Sequence, residues 1–182
     1  MENVHAISNF LLPDELAIIE DLLAKRNNQD NMEDPGLGRI IYSVQIPYEV
    51  LDSIRIRVEA LLNKPLENIN AMFVDYDAKY GQPNLPPHFD GDNNSLIIDY
   101  QYKSNTSWGL GVNSTVYEME DNKAIIFNPN EYPHWRPHKT FQKGEYITMM
   151  FFRFPDKDID YSHMRHSQDH PIFDEARKVR DS

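Results

Sequence analysis

Apolar residues recur at helical spacing twice in the first third of the chain. Leu16, Ile19, Leu22 and Leu23 follow Pro13-Asp14-Glu15, a proline with acidic neighbours that marks a helix start. The spacing predicts an amphipathic helix from Pro13 to about Arg26. Val50, Leu51, Ile54, Val58, Leu61 and Leu62 share one face of a second helix, predicted from about Tyr48 to Asn63. Between them, Asn27 to Gly38 is polar, carries Pro35 and two glycines, and reads as a loop; Arg39 to Ile46 reads as a strand.

After Pro65 the pattern changes. From Ile69 onward, short runs rich in Val, Ile, Phe and Tyr are separated by Gly, Pro, Asn and Asp. The predicted strands are Asn70–Tyr76, Pro87–Phe89, Ser95–Tyr102, Ser107–Val112, Ser114–Met119, Lys123–Phe127, Tyr132–Arg136 and Tyr146–Phe154. Two helices followed by many short strands imply an α+β chain, mainly β, built on an antiparallel barrel or double sheet. The polar tail from Pro155 to Ser182 contains one helical stretch, Asp174 to Val179.

Composition narrows the chemistry. The 182 residues include no cysteine, which removes disulfides, thiolate metal sites and cysteine nucleophiles together. Any metal must be held by nitrogen and oxygen, so the seven histidines come first. A net charge of −11 repels phosphate backbones, and nucleic acid is not an expected partner. Met1 to Asn9 has neither a basic nor an apolar signal region, and no apolar stretch reaches the length of a membrane span. The expectation is a cytoplasmic protein with no membrane partner.

Leu85-Pro86-Pro87-His88-Phe89-Asp90-Gly91 carries the chemistry. His88 and Asp90 are two residues apart, so on a strand both side chains leave the same face and reach one ion. A later His completes the two-histidine, one-carboxylate arrangement that leaves open positions on octahedral iron. His134 is the candidate, after an apolar strand and the turn Asn128-Pro129-Asn130.

From Phe10 to Phe154 the chain resembles the 2-oxoglutarate and Fe(II)-dependent oxygenase superfamily, on its prolyl-4-hydroxylase-like side. The residues that carry this are Ile7 to Glu15, Phe73-Val-Asp-Tyr76, Pro87-His88-Phe89-Asp90-Gly91, Phe127 to His134, and Gly144 to Arg153. The resemblance implies one domain over residues 1–182: a helical part to about 66, a double-stranded β-helix (jelly roll) over about 69–154, and a polar tail. It further implies Fe(II), 2-oxoglutarate and O2 as cofactor and co-substrates, with ascorbate as an accessory reductant. The reaction implied is hydroxylation of a small-molecule or peptide substrate, such as a peptidyl proline or an amino acid, by a dioxygenase. Halogenating relatives lack the carboxylate that Asp90 supplies, so its presence points to hydroxylation. A non-catalytic, metal-binding jelly roll of the cupin kind is the rival reading.

Relatives carry Arg or Lys about ten residues past the distal histidine, to pair with the far carboxylate of 2-oxoglutarate; here Gly144 stands at that place, and Tyr146 and Thr148 are the inward positions expected after it. A buried dicarboxylate needs a cation. Arg136 lies two residues after His134, on the same strand face, and its planar fork suits a carboxylate. Lys103 is the second candidate, where jumonji-type relatives place a lysine, and Tyr76 and Tyr102 could donate hydroxyl bonds. His138 is expected in a solvated loop, Trp108 and Trp135 near the barrel mouth, and His163, His166 and His170 on a surface cluster or lid.

Overall fold

Alternation along one strand sets the layering of the fold. The strand is β10 (Tyr146–Pro155), the last of ten among the described residues. Met150, Phe152 and Phe154 enter a core shared with the helices, whereas Ile147, Met149 and Phe151 enter a second core on the opposite face. The inward positions beside the site are therefore the odd-numbered ones. Tyr146 and Thr148 belong to the helix-facing parity, and Thr148 donates to Asp75 at 2.7 Å, so the expected inward pair is corrected. The computed structural model describes residues 3–26, 31–42 and 45–182.

The remaining strands are β1 (His5–Ser8), β2 (Asn31–Asp34), β3 (Arg39–Tyr42), β4 (Asn70–Asp77), β5 (Asn94–Ser104), β6 (Leu110–Val112), β7 (Thr115–Tyr117), β8 (Lys123–Phe127) and β9 (His134–Trp135). They form a seven-stranded sheet ordered β1-β8-β5-β10-β4-β3-β2 and a three-stranded sheet ordered β7-β6-β9. Every pairing is antiparallel. The two sheets face each other across the second core, as an open double-stranded β-helix. β10 lies between β4 and β5, so the strand made last occupies the middle of the large sheet.

Helix α1 (Pro13–Ala24) buries Ile19 and Leu23; α2 (Tyr48–Leu62) buries Val50, Ile54 and Val58. Each such side chain contributes roughly 2 kcal/mol on leaving water. Glu15 accepts from the Leu12 N–H at 2.9 Å and pairs with Arg57 at 2.6 Å, which ties the start of α1 to α2. Asn63 ends α2 in the left-handed conformation, φ 49°. A short helix α3 (Asp174–Arg180) lies in the tail. None of the helices described is long and apolar enough to cross a membrane.

Where sequence pattern and structure differ, pairing is the reason. Asn31–Asp34 shows no apolar alternation, yet it pairs with β3 along its whole length and is a strand. The rest of the stretch read as a loop, 27–30, lies outside the described residues, as do 43–44 within the strand expected to reach Ile46. The strand expected at Pro87–Phe89 reduces to a single bridge, His88 to His134, because Pro86 and Pro87 have no N–H to give a ladder. The expected strands at 107–112, 114–119 and 132–136 shorten to β6, β7 and β9.

Candidate metal centre

The His88–His134 bridge is the frame of the site. His88 donates its N–H to the His134 carbonyl at 3.1 Å, and His134 donates back at 3.0 Å. Two residues on, the Asp90 N–H donates to the Pro129 carbonyl at 3.2 Å, and the Gly91 N–H to the side-chain oxygen of buried Asn130 at 2.7 Å. Asn130 also donates to the carbonyls of Asp92 and Asn94, which fixes the chain after the carboxylate. Gly91 takes φ +61°, a region costly for a side chain.

These constraints bring the three expected ligands together. Asp90 Oδ1 stands 3.3 Å from His134 Nε2 and 3.6 Å from His88 Nε2. Ligand atoms of all three residues lie within 4.8 Å of one another. His88 Nδ1 is 2.9 Å from the Pro86 carbonyl, an arrangement in which Nδ1 keeps the proton and Nε2 is left to bind a metal. Two imidazole nitrogens and one carboxylate oxygen, converging on one point with a cavity beyond, suit Fe(II).

The charges are set for a cation. Burial, reinforced by His134, lowers the His88 pKa to about 4. Burial alone would push the Asp90 pKa up, but His134 and His88 outweigh it and hold the carboxyl below its usual range. For His134, burial favours the neutral ring; the carboxylate of Asp90 outweighs it and raises the pKa. Before a metal binds, the site thus favours the carboxylate of Asp90, the neutral ring of His88 and the protonated ring of His134.

The triad opens into a cavity of about 350 Å³, which Tyr76, Asp99, Arg136, Arg39 and Arg153 also line. Arg136 is 1 % exposed. It donates to the carbonyls of Trp108 (3.4 Å) and Gly109 (3.1 Å), pairs with Asp99 at 3.3 Å, and touches Met149 Sδ at 3.9 Å. Its Nε is buried without a partner. Its guanidinium lies 5.0 Å from the Trp108 ring, and Tyr76 meets the same ring edge-on at 5.0 Å. Burial pushes the Asp99 carboxyl up, with Arg136 opposing.

Of the four residues expected around the far carboxylate, Arg136 and Tyr76 share the cavity with the triad. The structure does not bring Tyr102 or Lys103 there. Tyr102 packs against the helix-facing core, and Lys103 is exposed towards the end of β5. Sequence reasoning missed Asp99, Arg153 and Arg39. The first two had a signal: each is the charged residue in an apolar run, at the parity of inward neighbours Ile97 and Phe151.

The tail packs against the ligand-bearing segments. Arg165 Nε donates to the Gly91 carbonyl at 2.9 Å, the Phe173 ring packs tilted against Phe89 with centroids 5.4 Å apart, and Arg180 Nε donates to the Arg136 carbonyl at 3.1 Å. His138, exposed, pairs with Asp181 at 2.9 Å. His166 and His170 stack at 4.4 Å on the tail surface, and His163 is exposed. Trp108 lies in the core beside the cavity, and Trp135 packs over Gly111, where an added Cβ would come within 2.2 Å of its ring.

No family model matches the sequence, and no curated protein does. Solved structures match closely in shape. A prolyl-4-hydroxylase from Pseudomonas putida aligns with TM-score 0.64 over 86% of this chain and 94% of its own, at 14% identity. The fold is that of the 2OG-Fe(II) oxygenases. A 2OG-Fe(II) oxygenase family oxidoreductase from Burkholderia pseudomallei aligns with TM-score 0.60 over 90% of this chain and 88% of its own, at 12% identity. A prolyl hydroxylase from Trichoplax adhaerens, solved with a hypoxia inducible factor peptide fragment, aligns with TM-score 0.58 over 92% of this chain and 89% of its own, at 12% identity. The 2OG-Fe(II) oxygenase fold thus covers most of the chain.

Proposed function

We propose that the protein is a 2-oxoglutarate-dependent Fe(II) dioxygenase that hydroxylates an organic substrate. One observation carries the reading: His88, Asp90 and His134 converge at the wall of a cavity that also holds a buried guanidinium. His88 Nε2, a carboxylate oxygen of Asp90 and His134 Nε2 would hold the metal. Bound there, Fe(II) supplies the redox chemistry that couples dioxygen and the keto acid's decarboxylation to substrate oxidation.

The chain's own residues prepare that chemistry. The reciprocal His88–His134 backbone hydrogen bonds hold the two ligands side by side before a metal arrives, and the Pro86 carbonyl orients the His88 ring. Asp90 neutralises part of the incoming charge. Arg136 is the proposed anchor for the far carboxylate of 2-oxoglutarate through its unpartnered Nε, with the Tyr76 hydroxyl beside it. Trp108, Leu110 and Phe151 keep that end of the cavity dry. The names of the structural neighbours favour a peptidyl proline as substrate, with a free amino acid as the alternative.

The test is succinate formation by anaerobically iron-loaded protein given 2-oxoglutarate and air, for wild type and His134→Ala. Succinate from wild type alone supports the reading. If neither succinate nor the visible absorbance of Fe(II) with 2-oxoglutarate develops in wild type, the metal-binding jelly roll replaces it.

A further inference from the structure

The cavity holds more positive charge than one co-substrate can use. Arg39, Arg136 and Arg153 all line it. Two of them are occupied: Arg136 by Asp99, and Arg39 by Asp34 at 3.0 Å with the Tyr76 hydroxyl at 3.5 Å. Arg153 differs. Among the described residues no carboxylate is ion-paired with it, and its Nε, like that of Arg136, is buried without a partner. A buried guanidinium N–H left unbonded is costly, so such a group marks a place where something else binds.

Its position separates it from Arg136. Arg136 touches Met149, whereas Arg153 stands four residues further along β10, beyond Phe151 and opposite Ile97. At ~3.3 Å per residue that is ~13 Å of strand. A keto acid held at the metal by one end has a single far carboxylate, so it needs one of these guanidiniums and leaves the other. Both line the cavity into which the triad opens. Met32, Leu37 and Ile41 of the β2–β3 hairpin line the same cavity.

We infer that Arg153 is the anion subsite for the prime substrate, and that the substrate is a small free carboxylic acid of amino-acid size. A planar fork with one N–H buried and unbonded suits a carboxylate. The cavity, about 350 Å³ in all, leaves room beside a bound keto acid for a molecule of that size. The inference rests on the oxygenase reading and narrows it away from a mid-chain peptidyl proline, which carries no carboxylate of its own.

The experiment separates the two. Protein loaded with Mn(II) in place of iron is titrated with 2-oxoglutarate by calorimetry. At saturating 2-oxoglutarate it is then titrated with each of the twenty free amino acids and with their amides. Wild type, Arg153→Gln, Arg153→Lys and Arg136→Met are compared, with circular dichroism as a fold check. Expected is an amino acid that binds wild type better than its amide and binds Arg153→Gln at least about tenfold more weakly. Arg153→Lys should recover part of that loss. 2-Oxoglutarate affinity should fall about tenfold in Arg136→Met and less than about threefold in Arg153→Gln. The inference is overturned if no acid outperforms its amide, or if Arg153→Gln, rather than Arg136→Met, abolishes 2-oxoglutarate binding. Should 2-oxoglutarate fail to bind the wild-type metal form at all, the oxygenase reading fails and takes the inference with it.

Discussion

Arg136 and Asp99 face each other at 3.3 Å beside the metal ligands, with side chains 1 % and 6 % exposed. Neither charge is tolerable there alone. Removing one partner of such a pair typically costs about 3–5 kcal/mol, because the other stays buried without compensation. Burial already holds the Asp99 pKa up while Arg136 opposes it, so losing the guanidinium raises it further.

Arg136→Met should therefore make stability depend on pH in a definite direction. The folded state then keeps a proton on Asp99 that the unfolded chain releases above about pH 4. Its stabilisation is present below that value and is lost as pH rises through the folded pKa. Urea unfolding of metal-free protein at about pH 5 and about pH 8 should show a larger deficit, relative to wild type, at the higher pH. An equal deficit at both would mean that Asp99 is not the group responsible.

Metal binding should release one proton rather than two. His134 carries a proton at its raised pKa, whereas His88 stays neutral down to about 4 and Asp90 stays ionised. Below about pH 6.5, apparent Mn(II) affinity should fall about tenfold per pH unit. A hundredfold fall per unit would show His88 titrating too. His134→Ala should abolish the metal-dependent rise in Tm.

Gly91→Ala should weaken metal binding through two separable effects. The added Cβ would sit at φ +61° and 2.2 Å from Arg165 Cγ. The backbone effect costs about 1 kcal/mol or more; the contact is relieved if Arg165 is trimmed. The double variant Gly91→Ala/Arg165→Ala should thus regain part, not all, of the Mn(II) affinity lost in the single one.

Trp108 should report on the keto acid. It lies 5.0 Å from the guanidinium of Arg136 and forms part of the core beside the cavity, so a carboxylate arriving at Arg136 alters the field on its ring. Under anaerobic conditions 2-oxoglutarate should change tryptophan fluorescence in wild type. In Trp108→Phe, where Trp135 alone remains, that change should be lost.

The helices and most of the large sheet were legible because local pattern and tertiary packing agree. α2 and β8 fall where periodicity puts them. The triad was legible for a different reason: the His88/Asp90 spacing and the turn before His134 are local signatures of a shared strand face. β2 was not legible, because backbone pairing with β3 rather than apolar alternation makes it a strand. The parity of β10 was misjudged because the strand carries apolar residues on both faces, such as Met149 and Met150, so no alternation marks which face lines the site. Arg153 escaped notice because a charge within an apolar run reads as a strand end until the cavity around it is seen. The displacement of Lys103 from the cavity depends on how far β5 runs past its neighbours, which no short segment encodes.

The central place of β10 also governs how the chain assembles. Without residues 146–155, the pairings left in the large sheet are β4 with β3 and β2, and β5 with β8 and β1. Each then presents an unpaired edge, β4 and β5, to anything able to add a strand. Their partner arrives only after the metal ligands have been synthesised, so closure depends on contacts distant in sequence and is expected to be slow. The interval in which a nascent chain can aggregate, or be captured by a chaperone, ends when a single ten-residue strand slides between two waiting edges.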